Sequence, residues 1–282
     1  TMQKSTWSAG ISNKLRYLST TITSTNGHNY FEYNNNFSVN TSMVEPAVFV
    51  SATVLLSEKV KFDAGFRLSS GLTSDVVFFI PEPRLRVSFY PQRVISPHIN
   101  YVRLSQFDHS VEGSSVGLRT MLMLPASKDF GPEISDVFSA GFTGHINNNY
   151  QWTLDGYYKK TSGMLDYKPG ASFIFDTSFV DILDKIKGIS YGLETGIIKR
   201  MGKLTGSLSY TFSRSKREWS APEGLIWIPS NADRPHNFNI VFRYYFKKRT
   251  SFGLNWVYQS GAPATIYMHN TSYREWFETK YN

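Results

Sequence analysis

The sequence predicts an all-β chain: an antiparallel up-and-down transmembrane β-barrel, or a portion of one. Three observations carry this. Apolar and polar residues alternate over segments of ten or more, whereas globular strands usually run about five or six residues. The connections between segments alternate between tight turns and long loops. Aromatic residues collect toward both ends of the segments, at the depth where a ring with a polar tip prefers a membrane interface.

In chain order the alternation places strands near 4–16, 45–57, 60–70, 77–90, 94–106, 135–147, 150–162, 188–200, 203–215, 236–247 and 250–262. In 60–68, Val60, Phe62, Ala64, Phe66 and Leu68 oppose Lys61, Asp63, Gly65 and Arg67. In 203–215, Leu204, Leu208, Tyr210 and Phe212 oppose a hydroxyl-rich row of Thr205, Ser207, Ser209, Thr211 and Ser213. Phe238, Ile240, Phe242, Tyr244 and Phe246 form one face of 236–247. Phe252, Leu254, Trp256 and Tyr258 do the same in 250–262. Tight turns fall near 57–59, 91–93, 147–149, 201–202 and 247–249. The connections 17–44, 107–134, 163–187 and 216–235 are long, and the shorter 71–76 lies on their side. A barrel with tight turns on one rim and long loops on the other has this asymmetry. A Greek-key sandwich has no reason to sort its loops in this way.

Bulk composition separates few classes. The 282 residues are 41% hydrophobic with a mean hydropathy of −0.30. A membrane barrel gives such values because its inner half is polar. No apolar run reaches the roughly 18–20 residues of a membrane helix; "VVFFI" (76–80) and "MLML" (121–124) are among the longest. There is no cysteine, hence no disulfide and no thiolate metal site. The net charge of +8 is dispersed among short clusters, which argues against a nucleic-acid partner. "DHS" (108–110) holds the residue types of a catalytic triad, but neighbours on an extended chain point apart. The six histidines show no paired ligand spacing, so neither catalytic residues, a metal nor a cofactor is expected.

Eleven strands is an odd number for a bacterial barrel, and closure needs every edge paired. The N-terminal "TMQKSTWSAG" carries no apolar leader core, and 263–282 reads as a loop rather than a closing strand. Residues 1–282 are therefore expected to be one part of a barrel domain.

Six segments in order then carry a family resemblance. They are "EPRLRVSFYP" (82–91), "LPASKDFGPEISDVFSAGF" (124–142), "WTLDGYYKKTSGMLDYKPGA" (152–171), "SYGLETGIIKRMGKLTGSLSYTFSRSKR" (190–217), "NADRPHNFNIVFRYYFKKR" (231–249) and "SFGLNWVYQSGAPAT" (251–265). Together they resemble TonB-dependent outer-membrane receptors, most of all those of the Bacteroidetes type. The resemblance implies a roughly 22-stranded barrel filled by a plug domain. It further implies import of a scarce ligand with energy from the TonB complex, acting through a plug that this chain lacks. The implied partners are outer-membrane lipid, the rest of the barrel, the plug, TonB and a surface lipoprotein.

Strand parity points Lys61, Asp63, Arg67, Arg84, Arg86, Asp155, Glu194 and Arg243 inward, as lumen or plug-facing residues. Folding 60–70 onto 77–90 would bring Asp63 near Arg84. The loop aromatics Trp219, Trp227, Tyr273 and Trp276 are the candidate ligand contacts, because exposed rings on a rigid scaffold commonly bind. Packing within the loops or against a partner lipoprotein is the plainer reading of the same rings. Phe179, Ile182, Leu183 and Ile186 recur at helical spacing and predict a short amphipathic helix in 178–188. Two other functions compete with the importer: a passive pore or adhesion barrel, and a soluble β-sandwich or propeller binding module. Against a propeller, no repeat of about 40–50 residues is present.

Overall fold

The computed structural model describes residues 5–28, 31–73, 75–90, 94–115, 118–168, 179–221, 224–247 and 249–263. Its strands, in chain order, are β1 (Ser5–His28), β2 (Phe31–Ser57), β3 (Val60–Leu72), β4 (Val77–Phe89), β5 (Ile95–Gln106), β6 (Asp108–Ser115) and β7 (Leu118–Pro125). They continue with β8 (Glu133–Ile146), β9 (Tyr150–Tyr167), β10 (Leu183–Lys199), β11 (Leu204–Ala221), β12 (Gly224–Pro229), β13 (His236–Lys247) and β14 (Thr250–Gln259). One antiparallel sheet runs β1-β2-β3-β4-β5-β8-β9-β10-β11-β13-β14, with β12 paired to β11; β6 and β7 form a separate hairpin. The fold is all-β and up-and-down. All eleven expected strands are present in the wall.

The register separates two faces. Leu85, Tyr101, Phe138, Tyr158, Tyr191 and Arg214 lie across one row, and Arg103, Asp136, Lys160, Ile189 and Lys216 across the next. Below these rows the same face is apolar and open: Ile99 is 58% exposed and Phe142 44%. On β9 this outer face reads Tyr150, Trp152, Leu154, Gly156, Tyr158 and Lys160. Ten steps of about 3.3 Å, inclined by about 40°, span roughly 25 Å, the height of the apolar band on a membrane barrel. Arg103 and Asp136 close the band with paired bonds of 2.7 and 3.0 Å, and the Tyr101 hydroxyl donates to Asp136 at 2.7 Å. On β5, β8 and β9 aromatic rings thus give way to charge within one row, as a hydrocarbon–headgroup boundary requires.

Turn chemistry accounts for the tight rim. Asn147 adopts a left-handed φ of 52°, which asparagine tolerates, and its Oδ1 accepts the Asn149 N–H at 3.0 Å. The opposite rim departs from the sequence expectation. Most of 17–44 is not a loop, because β1 and β2 stay paired from Ser5–Val54 up to His28–Phe31. Asparagine-rich stretches are poor strand formers. Here the register fixed lower in the hairpin carries the ladder through them. Part of 216–235 is likewise strand, with β12 folded back on β11. The helix expected over 178–188 shrinks to one turn, α1 (Phe179–Ile182), and β10 begins at Leu183. A register shift between Ile186 and Gly188 leaves Leu183 and Ile186 both buried, which reproduces helical spacing without a helix.

Candidate functional site: the inner face and its hairpin cover

The buried apolar clusters sit at the long-loop end of the inner face, under the β6–β7 hairpin. Val111, Leu122 and Leu124 of the hairpin pack with Phe130, with Leu165 of β9, with Ile182 of α1 and with Leu183 at the start of β10. A second cluster joins Phe107 and Ala126, at the hairpin's base, to Met43 of β2 and to Phe78 and Ile80 of β4. The hairpin therefore touches wall strands on both sides: β1 and β2 at one flank, β9 at the other.

Charge pins the same hairpin. Arg16 of β1 binds Asp108 and also meets Glu45 at 2.7 Å. Asp108 is 4% exposed in its side chain, a burial a carboxylate tolerates when paired. The buried His109 Nδ1 lies 3.2 Å from Glu133 Oε1, whereas Ser110 is exposed. Asp108 and His109 thus make separate structural contacts, and the "DHS" residues form no triad. Among the described residues no three His, Asp or Glu side chains gather as a metal site would require.

Lower on the inner face the expected charges form pairs of their own. Glu82 takes Arg84 at 3.4 Å and Arg67 at 3.8 Å, and accepts both the backbone and the hydroxyl of Ser105. Asp63 stands opposite Arg86, not Arg84, and pairs with Lys61 at 3.1 Å while accepting a bond from Thr53. The expected Asp63–Arg84 proximity is therefore corrected by a two-residue shift in register: Arg84 faces Gly65. Arg86 donates to Ser88 at 3.2 Å and, with Lys61, Asp63, Ser96, Thr143 and His145, lines a recess of about 270 Å³. Glu194 lies beside Asp155, and Arg243 beside Thr205.

Known structures share this architecture. The chain superposes on the alcaligin outer-membrane receptor FauA of Bordetella pertussis with a TM-score of 0.56 and 10% identity, over 92% of this chain and 48% of the receptor. The FrpB iron transporter of Neisseria meningitidis gives 0.59 and 10% identity, over 90% of this chain and 40% of the transporter. The FpvAI–pyocin S2 complex gives 0.56, also at 10% identity. The wall has the fold of the barrels in these structures. It spans less than half the length of either receptor chain. No protein-family description and no curated protein sequence matches it.

The loop aromatics do not converge in this wall. Trp219 pairs with Ile226, whereas Trp227 pairs with Glu218, so the two indoles stand on opposite faces of one hairpin. Tyr273 and Trp276 lie outside the described residues. Sequence reading missed Arg16, Glu45 and Asp108 as a group, and also His98. The inward parity of Arg16 was a usable signal, but its partner comes from a hairpin folded back across the lumen.

At the loop end, beyond the Lys160 row, Arg217 meets Asp166 at 2.6 Å. Burial raises the Asp166 carboxyl above its ordinary value, and the Arg217 guanidinium opposes that shift. The Tyr167 hydroxyl is pushed up to about 12, by burial first and by the neighbouring Asp166 carboxylate second.

Proposed function

We propose that the chain is part of the barrel wall of an outer-membrane importer, driven by TonB through a plug domain elsewhere in the intact protein. One observation carries this reading: an apolar outer face bounded by charge encloses a polar inner face, and a hairpin folded inward covers its mouth. A passive channel needs an open lumen, whereas an importer gains from a covered one. The likeness to receptor barrels supports the same reading, and the names of two of those receptors favour an iron-chelating small molecule as cargo. The Bacteroidetes-type affiliation and a surface lipoprotein partner belong to this proposal through the sequence resemblance. Asp63, Arg67, Arg84, Arg86, Glu194 and Arg243 are assigned to the lumen wall that a plug would face. Trp219 remains a candidate ligand contact on the inner side of its hairpin, and Tyr273 and Trp276 are proposed as further ligand contacts; Trp227, on the outer side, is proposed to contact ligand or partner separately.

The test uses the native protein in its own membrane. Deleting its gene should abolish uptake of a ferric chelate, and deleting TonB should have the same effect. Uptake that persists without TonB overturns active import, and large steady conductance in a planar bilayer would favour the passive pore.

A further inference from the structure

The outer face carries a groove that the importer reading does not use. It lies near the tight-turn rim, holds about 190 Å³, and is lined by Tyr150, Ile197, Lys199, Leu204, Leu208 and Phe242. The sequence cause is Gly206. It sits between Lys199 on β10 and Phe242 on β13, so the outer row lacks a side chain at that point. Its φ of 156° and its approach to the Val241 carbonyl exclude a Cβ.

One end of the groove is cationic. The Lys199 ammonium stands 5.1 Å from the centroid of the Tyr150 ring and donates to the Met201 carbonyl at 2.7 Å. An ammonium has three donors, so this leaves capacity for an anion. The neighbouring tight turns read "NNN" (147–149), "RMGK" (200–203) and "KKR" (247–249), with five cations and no carboxylate. Tyr150 is the first residue after its turn, which sets Lys199 at headgroup depth while the rest of the groove lies within the apolar band.

We propose that this groove holds one acyl chain of a phospholipid from the leaflet at the tight-turn rim, with the lipid phosphate on Lys199. The inference rests on the membrane-barrel reading above. An apolar channel accepts hydrocarbon, and a cation at its mouth selects a phosphate-bearing lipid over an uncharged one with the same chains. Leu204 and Leu208 flank the tail as it passes the gap left by Gly206.

The test extracts the native protein in detergent and counts bound lipid by native mass spectrometry, adding phosphatidylglycerol or diacylglycerol with the same acyl chains. Phosphatidylglycerol should be retained and diacylglycerol lost. Lys199→Gln should weaken retention about tenfold, the scale of one charge-assisted hydrogen bond. Ile197→Trp, which fills the groove, should weaken it without touching the cation. Equal retention by wild type and Lys199→Gln overturns the phosphate site. A protein that needs detergent yet retains neither lipid overturns the groove and leaves the barrel standing. A protein that stays monodisperse without detergent overturns the barrel reading itself.

Discussion

His98 on β5 and Asp155 on β9 meet at 2.6 Å although a whole strand, β8, runs between them. The residue of β8 at the crossing is Gly141, and any Cβ there would collide with the Asp155 carboxylate. The absent side chain is therefore what lets two strands that are not neighbours bind directly on the inner face.

Gly141→Val should break this link and leave a buried imidazole poorly satisfied. The expected cost is about 1–3 kcal/mol, read from denaturant unfolding of the refolded barrel in vesicles. His98→Gln, which keeps a donor, should cost less than Gly141→Val. Equal losses would show that the lost contact, not crowding of the backbone, dominates.

The hairpin cover should depend on its ionic pin. Arg16→Met removes the partner of the buried Asp108 and should loosen the hairpin by about 1–3 kcal/mol. Arg16 is itself a quarter exposed, so the full cost of a fully buried broken pair is not expected, although Glu45 loses the same cation. Hydrogen exchange should accelerate in 108–125 and stay unchanged in the wall strands β10 to β14. The intact protein should also conduct more often.

The loop-side end of β9 should respond to pH with a defined sign. Asp166 binds its proton more tightly folded than unfolded, so its contribution is complete below about 3.8 and declines as pH rises through the folded value. Arg217→Met removes the opposing cation and should move that decline to higher pH. Tyr167 adds a second loss between pH 10 and about 12, because its phenol ionises later in the folded chain. Exchange protection of 161–167 across both windows checks each sign.

Depth on the outer face can be measured by placing charge there. Phe142→Arg, within the apolar band, should cost about 2–4 kcal/mol of folding free energy in vesicles. Thr143→Arg, one residue on and facing inward, should cost little. Similar costs at both positions would contradict the assignment of faces.

The wall was legible because a period of two is a strong signal when sustained, and both faces of each strand follow from it. Asp63 and Arg86 share a face, as parity alone predicts. Their register was not legible: which residues face each other depends on where the turn after Leu72 reverses the chain, and a shift of two residues exchanges Arg84 for Arg86 on the same face. Likewise Trp219 and Trp227 are both aromatic and close in sequence, yet β12 folds back so that they part. The β6–β7 hairpin escaped sequence reading because its short strands lack the long alternation of the wall. Its apolar residues are buried by contacts with Met43, Leu165 and Ile182, far apart in the chain.

Nearly every wall strand lies beside the one synthesised just before it, so the sheet can grow by accretion, each new hairpin needing only to find its predecessor. Such growth closes short loops and meets little entropic resistance. The β6–β7 cover is the exception. Its seat spans β1 and β9, so it has nowhere to settle until the intervening wall exists, which makes sealing the mouth a late event in assembly.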